Sequence, residues 1–240
     1  MPFKFSHENV IGMDTRFWGP SGWQLFHWVA FRAKEPQEFL KGMAEILPCK
    51  FCRASTTEYV KEHPLKGDPG KWVYDIHNMV NNKLRTQCKD DPKVLNPGPD
   101  PSFEEVKKKY EHMELKGVLG RDFLFSIAVN YPDDPTEGDK ATQKRFLTNL
   151  AKVYPGASGT IQADLTSRKT YMKSMYAFLK SVGGKKMPAY RGYVYRVMYY
   201  KSGCAKKTYK GKTCRRSSSG DMTKVRDNKR TRRIAGGALL

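Results

Sequence analysis

WGPSGWQLFH at residues 18–27, PCKFC at 48–52 and HNMVNNKL at 77–84 are the stretches whose reading decides the fold. Trp23 and His27 lie four residues apart, so a helix sets them on one face. His77 and Asn81 share a face in the same way, with Val80 and Leu84 on a neighbouring stripe. Pro48 suits the first turn of a helix beginning near Leu47. That predicts Cys49 in the first turn, nearer the outside, and Cys52 one turn on. A helix start favours a thiolate and Arg53 adds positive potential, so the pair reads as reactive more than structural. Trp, His and Asn on facing helices suit a flat ring with polar edges. Aromatic faces can stack on such a ring, and amides and imidazoles can bond its heteroatoms.

These blocks, in this order and with Trp72 five residues before His77, resemble the Erv/ALR family of flavin-dependent sulfhydryl oxidases over about residues 12–90. The resemblance implies an all-α fold, a four-helix bundle with FAD at its mouth. It implies that Cys49 and Cys52 are the catalytic pair. It further implies a cofactor site at Arg16, Trp18, Trp23, His27, His77, Asn78, Val80, Asn81, Lys83 and Leu84, with Arg16 suited to the pyrophosphate. A protein dithiol would exchange with the Cys49–Cys52 disulfide, Cys52 would face the flavin, and oxygen would leave as hydrogen peroxide. The extended architecture resembles the oxidases of large cytoplasmic DNA viruses, which implies a virion and host-cytoplasm location. The family's partner arrangement implies a homodimer, or a pseudo-dimer formed with a second helical domain.

The chain departs from the family at one brace. Members pair a cysteine three residues before the His-Asn motif with one beyond it, and here the first position is Tyr74. Cys88 remains at a shorter offset, either as a free thiol or linked to the tail. Cys204 and Cys214 stand in CAKKTYKGKTC. They read either as the family's flexible shuttle pair or as a disulfide pinning a basic loop.

Two other readings of the centre fail on the sequence. A zinc site from Cys49, Cys52, His77 and Cys88 leaves the WGPSGW block without a role. A thioredoxin-like domain needs its Cys-x-x-Cys after a strand, and this chain reads helical.

The length of 240 residues allows one large or two small domains. The expected division is an N-terminal extension (1–15), the oxidase-like domain (16–90), a Pro-, Asp- and Gly-rich linker (91–101), a helical domain (102–184) and a basic tail (185–240). Helices are expected near 20–33, 37–46, 48–62, 71–86, 103–115, 121–130 and 139–153, with a last one from a Thr166 or Ser167 cap to Gly183. Ser102 and Glu105 form a capping box. In the second domain FLFSIAV, RFLTNLAKVYPG and the helix closing on GGK echo LFHWVAF, EFLKGMAEILPC and the HNMVNNKL block, with Gly156 in the place of Cys49. This reads either as a degenerate copy or as an unrelated helical domain.

There is no apolar run of transmembrane length, and MPFKFSHENV lacks the apolar core of a signal peptide. The expected compartment is therefore cytosolic, with no membrane partner. Five cysteines are too few for a disulfide scaffold.

The formal net charge is +20, and residues 185–240, with seventeen Lys and Arg against two Asp, supply +15 of it. Tyr190–Tyr200 alternates aromatic and basic residues and is expected to form a strand or two. Beyond Lys201 the composition cannot build its own core. Such a tail suits an acidic protein surface in a viral assembly, sequence-indifferent nucleic acid as the less favoured partner, or plain solubility. The alternative function is a structural or minor capsid component with an oxidase-like core.

Overall fold

The computed structural model describes residues 12–90, 94–157 and 159–201, and the backbone of 208–209 and 213–214. Its described residues form nine α-helices, two 3₁₀ turns and one two-residue antiparallel strand pair, so the chain is all-α in class.

Helix α1 (Thr15–Arg32) is the central element. It starts five residues before the expected position, because Asp14 caps it by accepting from the Arg16 N–H, and Pro20 is carried inside the helix. Helix α2 (Gln37–Lys41) and a 3₁₀ turn (Met43–Ile46), parted at Gly42, replace one expected helix. Helix α3 (Lys50–Glu62) and helix α4 (Pro69–Asp90) complete the first bundle. Helix α5 (Phe103–Glu111) carries the Ser102–Glu105 capping box expected of it.

The second half begins with α6 (Arg121–Val129), buried from Phe123 to Val129. It continues through α7 (Glu137–Val153), α8 (Arg168–Gly183, capped by Ser167) and a 3₁₀ turn (Gly184–Lys186). Residues 190–198, expected to be extended, form helix α9 (Tyr190–Met198). The helix buries Tyr193 and Val197, four apart, against the core and leaves Tyr195 between them 72% exposed. The ring of Tyr193 lies 4.8 Å from that of Phe125, and its hydroxyl donates to Asp122 at 2.8 Å. The expected tail boundary at 185 therefore falls too early, since the chain stays docked through Lys201. Strands β1 (Thr208–Tyr209) and β2 (Thr213–Cys214) pair beyond it, and β2 runs beside α3.

One core serves both halves. Helix α1 packs on α4 and α5 on one side and on α6 on the other, while α7 meets α2 and the first 3₁₀ turn. The α1–α6 contact depends on Gly22, where a Cβ would sit 3.1 Å from the Phe123 ring. Gly120 holds a left-handed φ of 65° before α6, packed closely against Leu25. No helix among the described residues is long and apolar enough to cross a membrane.

Phe123 is fully buried at this junction. Phe123→Ala should cost about 3–5 kcal/mol. In urea, with tryptophan fluorescence and far-UV circular dichroism as probes, both halves should unfold in one shifted transition. Separate transitions would contradict a shared core.

Candidate active site

The sequence places Cys49 inside a helix, but the structure makes it the N-cap of α3, with φ −154° and ψ 119°. The extended Leu47–Pro48 step precedes it, and the Cys49 N–H donates to the Leu47 carbonyl at 2.8 Å. As a cap, Cys49 Sγ accepts from the Cys52 N–H at 3.3 Å. The expected exposure is also reversed. Cys49 is buried at 2% exposure and Cys52 is half-buried.

The electrostatics separate the two sulfurs. A hydrogen bond from the Cys52 thiol, the backbone N–H groups of Cys52 and Phe51, and the Arg53 charge outweigh burial and bring the Cys49 thiol down to about 7. Donating that bond, together with burial and the Cys49 charge, pushes Cys52 well up, against the pull of Lys83 and Arg53. Arg53 is itself held in place by a 2.5 Å bond from Nη1 to the Leu47 carbonyl. Cys49, Cys52 and Cys88 are free thiols, and Cys88 is half-buried.

Helices α1, α4 and α5 assemble an aromatic cluster, and α4 also carries Lys83, whose charge acts on Cys52. Trp23 stacks on His77 with centroids 3.9 Å apart and planes at 12°. His27 Nε2 and His77 Nδ1 share a 2.9 Å hydrogen bond. Tyr110 of α5 lies over His27 at 4.8 Å and 19°. Burial holds both imidazoles neutral, His27 at about 3 and His77 at about 4, and lifts the Tyr110 hydroxyl to about 12. His27 Nδ1 is buried with no partner. Whichever ring donates across the pair, that nitrogen is left as a lone acceptor or a lone donor. An orphaned polar atom amid flat aromatic faces fits a planar ligand with polar edges, as FAD is.

Trp23, His27 and His77 therefore come together as the sequence predicts. Asn78, Val80, Asn81, Lys83 and Leu84 are half-buried along α4, with the charge of Lys83 acting on Cys52. Two predicted residues are engaged elsewhere. Arg16 pairs with Asp14 at 2.7 Å. Trp18 donates to the Met13 carbonyl at 3.3 Å and lies 5.7 Å from Phe123 in the junction. Cys204 lies outside the described residues, and of Cys214 only the backbone, in β2, is described. No three His, Cys, Asp or Glu side chains among the described residues gather as a metal site. Sequence reasoning missed Tyr110. Its signal was the spacing Phe103, Val106, Tyr110, one face of a capped helix.

Fold and site thus define a helical bundle with a polarised Cys-x-x-Cys pair at the start of α3 and an aromatic, histidine-rich cluster between α1, α4 and α5. Residues 20–97 match the sequence model of the Erv1 / Alr family, which shows the resemblance carried by the three sequence blocks. The chain is 30% identical over 98 residues to "Mitochondrial FAD-linked sulfhydryl oxidase ERV1" of Saccharomyces cerevisiae, covering 35% of this chain and 52% of the yeast protein. It is 28% identical over 114 residues to "FAD-linked sulfhydryl oxidase" of African swine fever virus, covering 42% of this chain and 86% of the viral one. It is 31% identical over 85 residues to "Probable FAD-linked sulfhydryl oxidase R368" of Acanthamoeba polyphaga mimivirus, covering 29% and 59%. The chain thus spans about half the length of its yeast relative. No solved structure matches it significantly.

The neutral histidine pair predicts an acid-labile fold. In the unfolded chain both rings protonate near pH 6.5, whereas in the native state they stay neutral to about 4 and about 3. Between those limits the unfolded state holds more protons, so stability is full above pH 6.5 and falls as pH drops. Each ring contributes up to ~1.4 kcal/mol per pH unit. Urea unfolding at pH 7, 6 and 5 should show this slope, and His77→Gln should flatten it.

Proposed function

We propose that this chain is an FAD-dependent thiol oxidase that forms disulfides in protein substrates and delivers the electrons to oxygen as hydrogen peroxide. The observation that carries the reading is the polarised Cys49–Cys52 pair under the charge of Lys83 on α4, the helix that also brings His77 to the cluster around the unpartnered His27 Nδ1. The similarity to yeast and viral proteins named as FAD-linked sulfhydryl oxidases supports it. The viral kinship also supports a viral protein acting in the host cytoplasm and carried in the virion.

In the oxidised pair, a substrate thiolate attacks Cys49 Sγ. A substrate–Cys49 bond forms, the Cys49–Cys52 bond breaks, and Cys52 leaves as a thiolate under the positive charges of Lys83 and Arg53. The second substrate thiol passes its proton to the Cys52 thiolate and attacks the substrate sulfur of the mixed disulfide, so the sulfur–sulfur bond to Cys49 breaks and Cys49 leaves. Its lowered pKa makes it a good leaving group, stabilised by the Cys52 N–H and by the thiol proton that Cys52 has just received. The substrate departs as a disulfide, and two electrons rest on the reduced pair. FAD, when bound, supplies the acceptor for those electrons and the route to oxygen. Trp23, His27, His77, Asn78, Asn81, Lys83 and Tyr110 are the residues that would hold it.

Cys49→Ser and Cys52→Ser should each abolish dithiothreitol oxidation, read as oxygen consumption, while the purified protein keeps its flavin absorbance. Turnover at the parent rate in either variant would refute the mechanism.

The shuttle reading of Cys204 and Cys214 finds support in how the tail leaves the core. The Met13 N–H donates to the Pro48 carbonyl at 2.9 Å, the Asp14 N–H donates to the Tyr200 carbonyl at 2.9 Å, and Met13 bridges Lys201. Phe17 stacks on Tyr200 at 4.3 Å, and Arg196 lies 5.8 Å from the Phe17 ring. The tail therefore departs beside the residue preceding Cys49, and β2 returns along α3. Joint replacement of Cys204 and Cys214 by alanine should spare oxidation of dithiothreitol and slow that of a reduced protein substrate. Equal effects on both substrates would refute a shuttle.

The second half supports a degenerate copy of the first. The pairing of α6 with α8 parallels that of α1 with α4, and α1 meets α6 as α2 meets α7. The copy would stand where a second subunit otherwise binds, making the chain a pseudo-dimer. It carries no cysteine pair: Gly156 takes a left-handed φ of 79°, and no helix begins there.

A further inference from the structure

The chain between α4 and α5 has the composition of a linker, yet it is fastened along α4 at successive turns. Tyr74 Oη donates to the Pro101 carbonyl at 2.9 Å. Asn81 Nδ2 donates to Asp100 Oδ1 at 2.7 Å. Arg85 binds both Asp100 oxygens, at 2.5 and 3.2 Å, and reaches the Gly98 carbonyl at 2.6 Å. Gly98 can offer that carbonyl because it turns the chain after Pro97 with a φ of 73°, its N–H bound by Asn96 Oδ1 at 3.0 Å. Residues 74, 77, 81 and 85 follow helical spacing, so the strap lies on the stripe that carries His77 and Asn81.

The strap also fixes the position of α5. Phe103, first residue of that helix, meets Tyr74 edge-on at 5.5 Å and Phe31 at 6.1 Å. Arg32 Nη1 donates to the Glu111 carbonyl at the far end, at 2.7 Å. Between these anchors Tyr110 is laid over His27. Asp100 has a second effect on Asn81. By accepting from Nδ2 it fixes the amide's orientation, so Oδ1 is the end left for a ligand N–H. The pair with Arg85 and the bond from Asn81 keep Asp100 ionised below the usual carboxylate range, and its charge reaches His77.

We propose that Asp100 is a positioning residue of the cofactor site: held by Arg85, it orients Asn81 and seats α5 so that Tyr110 covers His27. The inference rests on the flavoprotein reading above. Its chemistry calls for a planar ligand carrying an N–H donor toward Asn81, as the adenine amino group or the flavin imide offers.

The test is FAD affinity of the full chain stripped of flavin, read by quenching of flavin fluorescence, with thermal unfolding of the flavin-free protein followed in parallel. Asp100→Ala should weaken FAD binding by about tenfold or more, the factor that one charge-assisted hydrogen bond is worth. The loss should persist at temperatures where the variant is fully folded. Dithiothreitol turnover should fall at low FAD and recover as FAD is raised. The exchange Arg85→Asp with Asp100→Arg should regain part of the affinity lost in Asp100→Ala. If Asp100→Ala does not fold, Asp100→Asn, which keeps the shape and loses the charge, carries the same expectation. FAD affinity unchanged or tightened in a folded Asp100 variant would overturn the inference and leave the oxidase reading standing. Absence of FAD binding by the parent protein would overturn both.

Discussion

Helix α1 has to bury two faces at once, and the rest of the structure depends on how it does so. On one side it needs aromatic and imidazole rings, Trp23, His27 and Phe31, to meet α4 and α5. On the other it needs a surface smooth enough for the wholly buried run of α6. Gly22 supplies the smooth surface by having no side chain where the Phe123 ring lies. A helix buried on two faces has its register set by packing on both sides. Movement of the second half against α1 would therefore reach the cluster through the opposite face of the same helix.

The cysteine pair illustrates a different economy. Two thiols of equal intrinsic acidity are made unequal by one hydrogen bond and one capping position. Cys49 receives a backbone N–H at the helix start and a thiol proton from Cys52, and Cys52 receives neither. The sequence spacing carries this asymmetry, because a cap and a residue three positions later are the two ends of one helical turn. Reversal of the expected burial does not disturb it, since the polarisation comes from the cap and not from exposure.

How much of this is legible in the sequence can be traced residue by residue. Trp23 with His27, and His77 with Asn81, are readable because helical spacing alone puts each pair on a face. The capping box at Ser102 and the stop at Gly183 are readable because they are local. Helix α9 is not: its residues alternate like a strand, and only the long-range contacts of Tyr193 with Phe125 and Asp122 select the helix. The start of α1 is hidden because Pro20 draws the boundary forward while the Asp14 cap lies upstream. The family resemblance points Trp18 and Arg16 at a cofactor, but Trp18 is engaged by Met13 and Phe123 and Arg16 by the adjacent cap residue Asp14. Asp100 is beyond sequence logic, since its meaning depends on a nineteen-residue return of the chain onto Asn81.

The seam at residues 12–14 has a mechanical consequence. Both ends of the described core are zipped at one point, with the Met13 N–H on Pro48, the Asp14 N–H on Tyr200, and Met13 opposite Lys201. Tension drawn on the basic tail, by whatever it grips, is borne first by the Phe17–Tyr200 stack and this short backbone bridge. From there the load passes through a single hydrogen bond into the peptide just ahead of Cys49. Across the seam at Met13 and Asp14, the point where the chain leaves α9 thus stands one backbone hydrogen bond from the peptide that leads into the redox pair.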